Sequence, residues 1–170
     1  MGYTLIASQV LSASAASVTF SSIPQTYKTL VLKVSARADG TGAGGENIGL
    51  RLNGTTTAYY DRALYGTGSS VASASNSNTN TALVYQYADG GALTANTFAS
   101  TDILIPNYTS SAYKALSSES VTENNATGAL QAMAADLWQN TAAVTSITLY
   151  LLTAGINFVA GSSFYLYGIS

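Results

Sequence analysis

At 170 residues the chain is long enough to bury a core as one domain, 1–170, without disulfides or metal staples. It has no cysteine and no histidine, which excludes thiolate and imidazole metal sites, a cysteine nucleophile and a Ser-His-Asp triad. Only 8% of residues are charged, the net charge is −2, and the basic residues Lys28, Lys33, Arg37, Arg51, Arg62 and Lys114 are scattered, so no nucleic-acid partner is expected.

Apolar residues make up 47% of the chain, yet the mean hydropathy is only +0.20, because Ser, Thr, Ala and Asn supply polarity in place of ions. No apolar run approaches the roughly 18 residues of a membrane helix, and the amino end lacks the basic and apolar regions of a secretory leader. Ile6 stands where a myristoylation signal needs Ser or Thr. Neither a membrane partner nor a leader is expected.

Tyr3 to Leu11 reads as a strand apolar on both faces, and Ser17 to Ser21 as a short second one. Ile23-Pro24-Gln25 breaks the ladder, since proline cannot donate to it. Lys28 to Arg37 has a clean half-buried pattern, with Leu30, Leu32, Val34 and Ala36 alternating with polar residues. A glycine-rich loop over Ala38 to Glu46 leads into a strand at Asn47 to Asn53, closed by the turn signal Asn53-Gly54. Tyr59 to Gly66 reads as a strand, and the Ser/Ala/Asn tract Ser69 to Asn80 as an exposed low-complexity loop. Ala82 to Ala88, Phe98 to Ile105 and Tyr113 to Thr122 are further strands.

In Gly128 to Asn140, Leu130, Met133, Leu137 and Trp138 fall at helical spacing among alanines, so the local pattern favours a helix. Period two also fits, with Met133, Ala135 and Leu137 on one face. Thr145 to Thr153 and Ser162 to Ile169 alternate clearly and end the chain on a strand, so its action is expected to come from a folded surface. About nine or ten short strands with regular turn signals predict an all-β fold, an antiparallel β-sandwich of jelly-roll type.

Gly40-Thr41-Gly42-Ala43-Gly44-Gly45 has the spacing of a dinucleotide loop, but a strand pattern follows where that motif requires a helix, so a hairpin loop is expected. Asp39 and Glu46 flank it; two carboxylates without a third are read as solvated charges rather than a calcium site. Glu119 and Glu123, if on one strand face, sit about 13 Å apart along the backbone, too far for a glycosidase pair. No catalytic, metal or cofactor residues are expected. Asn53, Asn107 and Asn125 begin formal glycosylation sequons, which carry little without a leader. Of the twelve tyrosines, Tyr59, Tyr60, Tyr65, Tyr85, Tyr87 and Tyr108 are the candidate contact surface, weighed against cross-strand and core roles.

The segments Ser17 to Tyr27, Leu50-Arg51-Leu52-Asn53-Gly54, Leu64-Tyr65-Gly66, Ser118 to Asn125 and Gly161 to Ile169 together resemble a family of small virion structural proteins of tailed bacteriophages. The resemblance implies a jelly-roll sandwich without enzyme activity or cofactor, and a strand in the Trp138 region. It further implies a place on the phage particle. The expected role is capsid decoration, a cement protein bound as a homo-oligomer, a trimer, to the major capsid protein. The alternative is a receptor-binding or head-fibre tip module that grips cell-surface glycan.

Overall fold

Period-two alternation carries the chain into strands, and the side of each strand that is buried decides where the core lies. In the computed structural model, which describes residues 2–41, 45–122 and 130–170 except the side chains of Asn78, Leu83 and Val84, these form two antiparallel sheets. In chain order the strands are β1 (Tyr3–Val10), β2 (Ser17–Phe20), β3 (Thr29–Ala36), β4 (Glu46–Leu52), β5 (Tyr59–Gly66), β6 (Val71–Thr79), β7 (Ala82–Ala88), β8 (Ala99–Pro106), β9 (Lys114–Val121), β10 (Gln131–Trp138), β11 (Ile147–Leu151) and β12 (Ser163–Ile169). No helix occurs among the described residues.

The eight-stranded sheet has the order β1-β12-β3-β8-β9-β10-β5-β6, and the four-stranded sheet the order β2-β11-β4-β7. The chain pairs with itself from the outside inward: β1 with β12, β2 with β11, β3 with β8, β4 with β7. That nesting is the jelly roll. The hairpins β5–β6 and β9–β10 are insertions into it, and both widen the same sheet.

The core lies between the sheets. Leu30, Leu32 and Val34 of β3, Ile103 and Ile105 of β8, and Phe164 and Leu166 of β12 meet Val18 and Phe20 of β2, Ile48, Leu50 and Leu52 of β4, and Ile147, Leu149 and Leu151 of β11. Each is nearly inaccessible, contributing about 1.5–3 kcal/mol through removal from water. Gly168 of β12 lacks a side chain for a reason: a Cβ there would strike the ring of Tyr27.

Two expectations change. The Ser69 to Asn80 tract is not a loop but β6, in register with β5 from Gly66↔Val71 to Tyr60↔Ser77. Its small polar residues give no hydrophobic alternation, so the backbone ladder alone defines it. With β6 the strand count among the described residues is twelve rather than nine or ten. In the segment with helical spacing, the strand prevails: all eight residues of β10 pair with β9 on one side and β5 on the other. Two ladders satisfy its backbone groups while packing outweighs local propensity.

Arg37, just past β3, holds the loop before β8. Its guanidinium donates to the carbonyls of Gly91, Leu93, Thr94 and Thr97, at 2.8 to 3.3 Å. Arg37→Ala is expected to cost about 1–2 kcal/mol in urea unfolding and to speed hydrogen exchange of the Leu93 and Thr97 amides. Arg37→Lys restores only part, because a point charge cannot fork across four carbonyls. Unchanged exchange in the alanine variant would refute the bracing role.

Candidate functional site

Because the inserted hairpins extend only one sheet, its outer face is broad, eight strands across and about eight residues long, or roughly 35 by 25 Å. The strand registers link into rows running across it. One row runs Tyr165, Lys33, Asp102, Glu119, Met133, Leu64, Ser73 from β12 to β6. A neighbouring row runs Leu5, Tyr167, Val31, Leu104, Ser117, Ala135, Arg62, Ser75 from β1 to β6.

Among the described residues the exposed large apolar side chains are Tyr3, Leu5, Val10, Leu64, Val71, Leu104, Tyr113, Val121 and Met133, and all but Tyr113 lie on this one face. Two shallow depressions of about 660 and 710 Å³ flank Leu64 and Met133. Large apolar groups gathered on one surface mark a place where another surface is received.

Charge on this face is sparse and balanced. Lys33 forms an ion pair with Asp102, which raises the ammonium above its ordinary value chiefly through their hydrogen bond. Both partners are about half exposed, so the pair contributes little to stability. Glu119 stands directly opposite Asp102 across β8–β9. Tyr3 packs edge-on against Tyr167 with ring centres 5.9 Å apart, and Tyr167 stacks on Tyr165 at 6.5 Å. An aromatic strip thus borders the charged row.

The six mid-chain tyrosines are largely elsewhere. Tyr59 and Tyr108 are fully enclosed and Tyr87 nearly so, so the reading of these three as contact residues is corrected: their rings have no free face. Tyr59 stacks on Trp138, 6.2 Å between ring centres, and its hydroxyl accepts the Leu52 N–H at 2.8 Å; burial pushes this phenol up to about 12. Tyr108 donates to the carbonyl of Pro24. Tyr65 of β5 stacks on Tyr85 of β7 at 5.6 Å, joining the inserted hairpin to the small sheet. Tyr60 alone of the six lies on the outer face, half-buried, its hydroxyl donating to Gln139 Oε1.

Sequence reasoning passed over Tyr3, Leu64, Leu104, Val121 and Met133. Their signal was an apolar residue out of phase: Leu104 sits between buried Ile103 and Ile105, and Met133 between buried Ala132 and Ala134.

The carboxylates near the glycine-rich loop are spent on structure. Asp39 accepts from the backbone N–H and Nδ2 of Asn157, and Glu46 from Thr153 Oγ1 at 2.8 Å. Among the described residues no three acidic groups are placed to hold a metal ion. Part of the Gly40 to Gly45 motif, Glu123 and Asn125 lie outside the described residues. The Asn53 amide donates to Ala143 O, and its oxygen accepts from the Thr145 and Ser146 amides, so this sequon side chain pins the entry to β11.

No family model matches the chain, and no curated protein sequence matches it.

Proposed function

We propose that this protein is a non-enzymatic structural component of a phage particle. In this reading it decorates the head as a homo-oligomer and binds the shell through the outer face of its eight-stranded sheet. The observation that carries the reading is the gathering of exposed large apolar side chains on that face, within a jelly roll that commits Tyr59, Tyr87 and Tyr108 to packing. The face matches the about 800 Å² per partner of a standard interface. With few and balanced charges, its adhesion would resist salt. Many copies on a repeating lattice would multiply a modest contact.

The test is the copy number and position of the protein on purified particles, by quantitative mass spectrometry with imaging. Hundreds of copies on the head are expected. Leu64→Glu with Met133→Glu, at positions 56% and 55% exposed, should leave the fold intact yet reduce head occupancy at least tenfold. A handful of copies at a fibre tip would refute decoration. The partly exposed Tyr3–Tyr167–Tyr165 strip beside Asp102 and Glu119 suits a sugar ring, so that outcome would favour the receptor-binding reading, with glycan as ligand.

A further inference from the structure

An edge strand presents a row of backbone N–H and C=O groups to any chain that can pair with it, and proteins blunt such edges with charge, proline, bulges or brevity. The two sheets expose four edges. β2 has four residues, β1 is irregular between Leu5 and Ala7, and β7 pairs irregularly with β4 and packs against β10. β6 differs. It is the longest strand, Val-Ala-Ser-Ala-Ser-Asn-Ser-Asn-Thr, with no charge, proline or glycine, and it pairs regularly with β5 from Val71 to Ser77. Among the described residues its only strand neighbour is β5, and Ala72, Ser73, Ser75 and Ser77 are exposed there. Val71, at its start, is 80% exposed.

We propose that β6 pairs antiparallel with β6 of a second copy about a two-fold axis at Ala74. Such a contact must be complementary to itself. With Ala74 facing its own copy, Ser73 faces Ser75 of the second chain, Val71 faces Ser77, and Ala72 faces Asn76. Every pair is small and uncharged, so no like charges oppose across the axis, and inner and outer faces stay in phase.

The second copy is favoured over a foreign strand by what the pairing does to the face described above. The two-fold axis runs normal to the sheet, so eight strands continue into eight more and both outer faces point the same way. The apolar surface is doubled rather than consumed. This two-fold arrangement replaces the threefold one expected from the resemblance, and it stands whether the doubled face meets a shell or a glycan.

The chain has no cysteine, so one introduced thiol reports one contact. Facing residues of an antiparallel pair lie about 4.5–5.5 Å apart at Cα, within disulfide range. Ala74→Cys is expected to form a covalent dimer under mild oxidation, whereas Ser8→Cys on the opposite edge stays monomeric on a denaturing gel. In sedimentation equilibrium the unmodified chain should be a dimer. Ser73→Glu with Ser75→Glu, which opposes carboxylates across the axis, should weaken it at least tenfold, and Ser73→Lys with Ser75→Glu should restore it. Circular dichroism verifies that each variant keeps its fold. A monomer or trimer as the native mass, a dimer without the Ala74→Cys cross-link, or equal dimerisation of both charge variants would overturn the proposal.

Discussion

Replacing Trp138 with alanine is expected to remove about 4 kcal/mol of stability, the largest single effect foreseen for this chain. Trp138 ends β10 and is fully buried, stacked nearly parallel on Tyr59, with an interplanar angle of 16°. Tyr59 in turn ties β5 to β4 through Leu52, so the indole plugs the junction where both inserted hairpins meet the jelly roll. Alanine would leave a cavity bordered by strands of two sheets, which cannot collapse without breaking ladders. Trp138→Phe should cost far less, because it keeps an aromatic ring in the site and deletes an indole N–H that has no hydrogen-bond partner among the described residues. Urea unfolding measures both. Trp138 is the only tryptophan, so the native fluorescence reports its burial directly. A loss below about 1 kcal/mol for the alanine variant would show that the hairpins are not anchored there.

Asp61→Asn is expected to stabilise the protein by roughly 2 kcal/mol at neutral pH, an unusual sign for a buried substitution. Asp61 faces Asp136 directly across β5–β10, and both are at most 3% exposed. Desolvation raises the Asp61 carboxyl above its ordinary value of 3.8, while the Asn76 amide at 3.0 Å and the Arg62 guanidinium oppose the shift only in part. A raised carboxyl holds its proton more tightly folded than unfolded. The contribution of this group to stability is therefore greatest below pH 3.8 and is lost as pH rises through the folded value. The gain from Asp61→Asn should accordingly be smallest in acid and level off above that window. Thermal unfolding across pH measures it, with an expected rise of several degrees at neutrality. If the amide instead destabilises at neutral pH, the bonds of the ionised carboxylate to Asn76 and its attraction to Arg62 outweigh its desolvation, and the prediction is refuted.

Strand existence was legible because period two survives in almost every segment, from Leu30-Leu32-Val34 in β3 to Phe164-Leu166 in β12. β5 and β7 even keep the bounds the pattern predicts. β6 was illegible for a physical reason. Ser, Ala and Asn have no preference between a wet face and a dry one, so a strand held by backbone hydrogen bonds to β5 leaves no trace in side-chain pattern. The candidate face was illegible for a related one. Alternation divides a strand into two sets, but which set is covered depends on the sheet lying across it.

The sequence by itself determined a chain built mainly of strands, the positions of most of them, and the absence of cysteine and histidine chemistry, because these follow from composition and local period; at β10 the local period pointed to a helix, and only pairing with β9 and β5 made it a strand. Only the tertiary structure decided that Tyr59 and Tyr108 are core while Tyr3 is surface, that Met133 faces out while Ala132 faces in, and that two hairpins widen one sheet. Each of those outcomes is a contest between side chains far apart in sequence for one volume. Trp138 and Tyr59 fill the space beneath one end of β5 and β10, Asp61, Asp136, Tyr65 and the small Ala63, Ala132 and Ala134 occupy the rest of that side, and the larger Leu64 and Met133 are left facing outward.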